Sequence, residues 1–408
     1  MAANWVGARH TGADTPMSAD DPFTMLSEPT AVLGSMTPIA PPLYQTSTFW
    51  SSDPDEFLNM ATAPRHAAFY TRYGNPTVRL FEDAVARLEG AEAALATASG
   101  MAAMAAAILT FVGQGERVLA QKVMYGGTIG FLRNLAPRFG IDVDFFDQRS
   151  FEEFSDALSP KTKLILLESP SNPLLRLTDI AQFTIHAKGV SNATILIDNT
   201  VSTPINQRPL LLGVDLVMHS ATKALGGHAD FIGGILAGSS ACITSVWKTA
   251  HLLGATMDPF AAWLALRGLR TLPMRVARHN QTALQVATRL ERHPSIPAVY
   301  YPGLKSHPQH ELAQRQMPNG TGGLLSFEVV GGLTAAETVM SRMKIAHRSA
   351  SFGSFSTLAV HPAAMWAGMM TEAQLHEAEL PPGLIRLGVG FEDPDVIADD
   401  IEAALAHI

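Results

Sequence analysis

Six short apolar runs, at residues 117–121, 141–146, 163–168, 194–198, 214–219 and 233–237, restrict what this chain can fold into. Helix-like segments separate them. Continuous apolar strands that alternate with helices belong to a mostly parallel sheet covered on both faces, an α/β fold. Ligands bind such sheets beyond the carboxyl ends of the strands. Glu168, Asp198 and Lys223 all fall at such ends.

The flanking regions read differently. Residues 1–64 hold many prolines without sustained periodicity, and an extended arm is expected there. Val78, Phe81, Val85 and Leu88 recur at helical spacing, and Gly90 stops that helix. Residues 93–115 carry no charge but are mostly alanine, interrupted by Thr97, Ser99 and Gly100. They predict a short buried strand, a turn and a helix starting near Gly100, and no membrane span. Composition shifts near 256–274, after which strand-like runs at 323–330 and 384–389 mix with long helices. The expected division is an arm (1–64), a large domain (65–260) and a smaller α+β domain (261–408).

Charge and cysteine usage narrow the function. A net charge of −8 with no Lys/Arg run gives no field for nucleic acid. The single cysteine, Cys242, excludes an internal disulfide framework and cannot build a zinc site alone; the histidines show no metal-ligand spacing, so no metal is expected. Arg9, Asp14, Asp20 and Asp21, with no apolar core among them, do not read as a signal peptide. A cytoplasmic, reducing compartment is the expectation.

Several residues carry candidate chemistry. Lys223 follows a strand in Ser220-Ala-Thr-Lys223, beside two hydroxyls that could hold a phosphate. A desolvated lysine can form a Schiff base with a carbonyl cofactor, although a lysine after a strand is also a common surface residue. Asp198 suits a protonated ring nitrogen, or simply a turn or helix cap. Ser99 reads as an N-cap that leaves the Gly100 and Met101 amides free for an anion, or as a cap alone. Tyr125 precedes Gly126-Gly127-Thr128 and could stack on a flat ring or mark a turn. Arg386, alone in an apolar strand, needs an anion: a substrate carboxylate or a structural partner. Ser220-x-x-Lys223 also matches a β-lactamase signature, but the Ser-Asp-Asn and Lys-Thr-Gly triplets are absent. No hydrolase elbow, zinc motif or complete dinucleotide fingerprint is present.

In order along the chain stand Tyr70-Thr-Arg72-Tyr-Gly-Asn-Pro-Thr77, Ser99-Gly-Met101, Tyr125-Gly-Gly-Thr128, Glu168-Ser-Pro-Ser-Asn-Pro173, Asp198-Asn-Thr200, Ser220-Ala-Thr-Lys223 and Arg386-Leu-Gly-Val-Gly390. Taken together they resemble the Cys/Met metabolism family of pyridoxal-phosphate (PLP) enzymes, from about Met36 to the C-terminus. That family includes cystathionine γ-synthase, cystathionine and methionine γ-lyases and homoserine-ester sulfhydrylases. The resemblance implies an aspartate-aminotransferase-like fold with a seven-stranded large-domain sheet, and a homotetramer of two tight dimers. It also implies that Lys223 binds PLP and acts as base, that Asp198 pairs with the ring nitrogen, and that Tyr125 stacks on the ring. Gly100, Met101, Ser220 and Thr222 would hold the phosphate, with Tyr70 and Arg72 reaching over from the neighbouring subunit. Arg386, Ser351 and Asn172 would take the substrate carboxylate.

The reaction implied is γ-elimination on a γ-substituted homoserine-type amino acid such as cystathionine, an O-substituted homoserine or canavanine. Replacement at the same carbon is the alternative. A non-catalytic ligand-binding relative is a third reading, whose mark would be loss of Lys223 or Arg386; both are present. Two departures bear on substrate. Gly127 stands where methionine γ-lyases usually carry cysteine, and Trp366-Ala367 stands where Thr-His is common, so methionine is expected to be a poor substrate.

Overall fold

The computed structural model describes residues 21–27, 38–366 and 379–408. Seven strands, β1 (Ala93–Thr97), β2 (Arg117–Gln121), β3 (Asp142–Phe146), β4 (Thr162–Glu168), β5 (Thr194–Asp198), β6 (Leu216–Ser220) and β7 (Gly234–Gly238), form one sheet in the order β1-β7-β6-β5-β4-β2-β3. All run the same way except β7, which is antiparallel to both neighbours.

Alternation of side chains explains why these strands read as unbroken apolar runs. Leu164 and Leu166 of β4 face one cluster with the helices Gly100–Phe111 and Ser240–Ala250. Ile165 and Leu167 face another with the helix Ile180–Val190. Both sheet faces are thus buried, and no position has to be polar for solvent. At roughly 2 kcal/mol per fully buried aliphatic side chain, these layers supply much of the favourable free energy that holds the site's scaffold.

A second sheet, β10-β11-β12-β9-β8, is built from β8 (Ala298–Tyr300), β9 (Leu324–Glu328), β10 (His347–Arg348), β11 (Leu358–Val360) and β12 (Leu384–Gly388). The helices Leu272–Leu290, Gly332–Arg342 and Pro394–Leu405 contribute to its core. Among the described residues no helix is long and apolar enough to cross a membrane. The uncharged 93–115 stretch folds as β1, a turn and a helix capped by Ser99, whose Oγ accepts the Ala102 N–H.

Within residues 1–64 the expected extended arm contains a helix, Pro54–Thr62. Asp53 caps it by accepting the Asp55 and Glu56 amides, and Pro54 stands in its first turn. Such a cap stabilises a helix by about 1 kcal/mol. The local signal for this helix outweighs the missing apolar periodicity.

Candidate active site

The carboxyl ends of β4, β5 and β6 place Glu168, Asp198 and Ser220 side by side, with Glu168 and Asp198 in register. After β6 the chain turns tightly: the Lys223 N–H donates to the Ser220 carbonyl and the Gly227 N–H to the Lys223 carbonyl. Thr200, just past Asp198, knits the two strand ends together. Its N–H donates to Asp198 Oδ1 at 2.9 Å, and its Oγ1 accepts the Ser220 N–H at 2.8 Å.

Lys223 Nζ donates to Ser351 Oγ at 2.7 Å. Burial, then the facing Arg386 charge, push the lysine down to about 8, with Asp198 acting against them. The amine therefore loses its proton far more readily than a surface lysine. Asp198 and Glu168 are both pushed up, chiefly by burial, and Glu168 further by Asp198. Thr200, His219 and Lys223 pull Asp198 back down, and the Tyr125 and Asn172 amides act the same way on Glu168.

Arg386 leaves β12 towards the same place and is buried. It donates to Asn172 Oδ1 at 3.3 Å and to the Ser351 carbonyl at 3.0 Å, while its Nε has no acceptor. No carboxylate among the described residues pairs with it. Arg386, Asn172, Ser351 and Lys223 thus form one hydrogen-bonded group.

The first-turn amides of Gly100 and Met101 have no acceptor within their own helix. This helix end lies against β6: a Cβ on Gly100 would sit 3.0 Å from Ser220 Cβ and 3.3 Å from its Oγ. On the other side, a Cβ on Gly234 of β7 would lie 2.2 Å from the Ser99 carbonyl oxygen. Bare glycines at both positions let Ser99–Gly100 settle into a cradle beside Ser220. Thr222 is close by but locally tied, its Oγ1 accepting the Gly233 N–H at 3.0 Å.

Tyr125 is half exposed and its ring leans over Gly127. A Cβ on Gly127 would fall 2.5 Å from Tyr125 Cε1 and 3.0 Å from Met101 Sδ. A cysteine at this position would therefore displace the ring. Tyr70 and Arg72 are exposed and are not hydrogen-bonded to this group within their own chain; the Arg72 guanidinium lies 5.2 Å from the Tyr70 ring centre. Trp366 ends a short helix, Pro362–Trp366, but its side chain and Ala367 lie outside the described residues.

Sequence reasoning placed Glu168 at a strand end without giving it work. Its carboxylate accepts the Tyr125 N–H at 2.7 Å and the Asn172 N–H at 2.9 Å, bracing both loops. A lone acid closing an apolar strand was the available signal. Phe352, whose ring lies near both Lys223 and Arg386, gave no signal at all.

The profile described as Cys/Met metabolism PLP-dependent enzyme matches residues 28–406. The chain belongs to this family. It is 40% identical over 371 residues to an L-methionine γ-lyase of Treponema denticola, covering 90% of this chain and 92% of the relative. An O-succinylhomoserine sulfhydrylase of Pseudomonas aeruginosa is 42% identical over 341 residues, 83% of this chain and 84% of that one. Among solved structures, metB of Corynebacterium glutamicum superposes with a TM-score of 0.87 at 33% identity, covering 95% of this chain and 98% of its own. A putative O-acetylhomoserine (thiol)-lyase of Campylobacter jejuni, solved with a pyridoxyl-phosphate-modified lysine, gives 0.90 at 28%, covering 95% and 100%.

A family member of this kind is a PLP-dependent enzyme, and the residues present fit the cofactor. A readily deprotonated amine, a buried carboxyl group at a strand end and a glycine cradle at a helix N-terminus are the groups it needs.

Proposed function

We propose that this enzyme catalyses γ-elimination on a γ-substituted homoserine-type amino acid, with cystathionine, O-substituted homoserines and canavanine as candidates. The observation that carries this reading is the pairing of Lys223 with a buried Arg386 that lacks a carboxylate partner. An amine ready to take a proton lies beside a cation ready to hold an α-carboxylate.

Bound PLP supplies a conjugated ring that takes up the electron pair released when a bond at the substrate Cα breaks. The chain's own residues do the rest. Gly100, Met101, Ser220 and Thr222 bind the phosphate, and Asp198 keeps the ring nitrogen protonated. Arg386, with Asn172 and Ser351, holds the carboxylate, so that the Cα–H faces Lys223. The Nζ of Lys223, neutral once substrate is bound, takes the Cα proton, returns it to the conjugated system at a neighbouring carbon, and, neutral again, takes a Cβ proton. Tyr125 donates its hydroxyl proton to the departing γ group. Tyr70 and Arg72, outward-facing in their own chain, complete the phosphate site of a neighbouring subunit in a homotetramer that works in the cytoplasm.

Replacement at Cγ is the second reading, favoured by the sulfhydrylase relative. The two differ in whether water or an added nucleophile meets the unsaturated product. Weak use of methionine rests on Gly127 and on Trp366-Ala367, where this chain departs from residues usual in its family.

Two experiments decide. Borohydride reduction of the yellow protein is expected to fix the cofactor to a peptide containing Lys223; a label on another lysine defeats the assignment. A panel of cystathionine, methionine, O-acyl-homoserines and canavanine, with and without added thiol and with products identified by mass, separates elimination from replacement. Methionine as the best substrate would overturn the specificity reading.

A further inference from the structure

We propose that Phe352 is a positioning residue of this site, its ring being the common surface on which the Lys223 ammonium and the Arg386 guanidinium rest. The inference builds on the roles given above to those two residues. Lys223 Nζ lies 5.5 Å from the ring centre and Arg386 Cζ 5.7 Å. Both distances are within the roughly 6 Å over which an aromatic quadrupole attracts a cation.

The arrangement answers a specific difficulty. Two like charges share a site poor in water, and Arg386 is the largest charged influence lowering Lys223. A carboxylate between them would relieve the repulsion but would also occupy the place of the substrate's own carboxylate. An aromatic ring attracts both cations, carries no net charge and competes with no anion.

The backbone fixes the ring where it is needed. Ser351 and Gly353, on either side, adopt φ of +97° and +77°. For Ser351 this is a strained conformation, the kind that persists only when surrounding contacts demand it. Its Oγ accepts from Lys223 and its carbonyl from Arg386. A Cβ on Gly388, two residues past Arg386, would lie 2.6 Å from Phe352 Cβ. A Cβ on Gly353 would lie 2.8 Å from the backbone nitrogen of Ala224, the residue after Lys223. Residues 351–353 are therefore wedged between the lysine turn and β12, and Leu175, Val201 and Leu324 back the ring. Movement of this wedge would shift both cations together.

The test replaces Phe352 in the full chain with mono-, di- and trifluorophenylalanine, which weaken the quadrupole at nearly constant shape, and separately makes Phe352→Leu. The readout is PLP uptake by the cofactor-stripped protein, followed by visible absorbance against pH. Uptake needs the neutral amine, so the pH of half-maximal rate reports on Lys223. The other charged groups facing Lys223, Arg386 and Asp198, stay unchanged across the series. Because the ring favours the ammonium, each fluorine is expected to lower the half-rate pH. The trifluoro variant should fall by roughly 0.4 to 1.5 units, equivalent to a two- to thirtyfold loss of amine basicity. Phe352→Leu is expected to show the same fall and weaker binding of butanoate, a carboxylate without an amine. A half-rate pH unmoved by fluorine, even with a defective Leu variant, would reduce Phe352 to packing and overturn the proposal. Should borohydride label a different lysine, the failure lies in the site assignment and not in the ring.

Discussion

Two guanidiniums in this molecule are buried to nearly the same degree, Arg275 at 6% exposure and Arg386 at 5%, and neither has a carboxylate partner among the described residues. Burial pushes both down to about 10, so both stay charged at neutral pH. Their hydrogen bonding sets them apart. Arg275 donates to the carbonyls of Ala224 at 2.6 Å, Leu225 at 3.3 Å and Gly268 at 2.7 Å, and its Nε to Thr271 Oγ1 at 3.1 Å. Arg386 meets one side-chain amide and one carbonyl and leaves Nε unmet. A saturated buried cation acts as a strut, here bracing the turn that carries Lys223. An unsaturated one still has a donor to offer an anion. Burial alone does not distinguish the two; counting their hydrogen bonds does.

Substitution of each arginine offers the strongest challenge to this contrast. Arg386→Leu is expected to lower kcat/KM by roughly thirty- to several-thousandfold, from the 2–5 kcal/mol lost with one partner of a buried charge pair. Its Tm should hold or rise, because a charge that is costly to bury is gone. Steady-state kinetics and calorimetry on the same preparation check both halves, and a large drop in Tm would erase the distinction. Arg275→Leu should do the reverse. Three carbonyls lose their donor, for a loss of about 3 kcal/mol in stability. Its kcat/KM, corrected for folded fraction, should change less than tenfold. Denaturant unfolding monitored by tryptophan fluorescence provides the measurement.

A smaller effect sharpens the comparison through His279, one helical turn after Arg275. Burial, aided by the Arg275 charge, pushes this imidazole down to about 4. As pH falls from 6.5 towards 4 the unfolded chain takes up the proton and the native protein does not, so stability declines across that window. His279→Gln is expected to flatten part of the decline, with His307, also pushed down to about 4, supplying another part. Equal acid sensitivity in wild type and variant would remove the Arg275 neighbourhood from the account.

What the sequence revealed depended on where the information was stored. The runs at 117–121 and 194–198 matched β2 and β5 end to end, because a doubly covered strand is apolar throughout and its borders are sharp. The reversed direction of β7 was illegible, since an apolar run carries no arrow. β8, β10 and β11 hold two or three residues each, too few for any period to register. Lys223, Asp198 and Arg386 were readable as polar exceptions in apolar surroundings. Phe352 was not: an aromatic in a loop breaks no rule, and its place follows from the left-handed turn at Ser351 and the space left by Gly388.

The reversal of β7 also bears on how the molecule is assembled. β1 ends at Thr97, yet its ladder partner β7 begins only at Gly234, and Thr97 bridges to Thr256 later still. On the ribosome, the first strand of the large sheet therefore has no seat until more than half the chain has been made. Ser99 and Gly100 follow β1 directly, so the cradle they form beside Ser220 is closed by a strand synthesised long after its own first wall. A contact so distant along the chain slows folding far more than it lowers stability. The Ser99–Gly100 turn is thus completed only late in synthesis, when β1 finally gains its ladder partner β7.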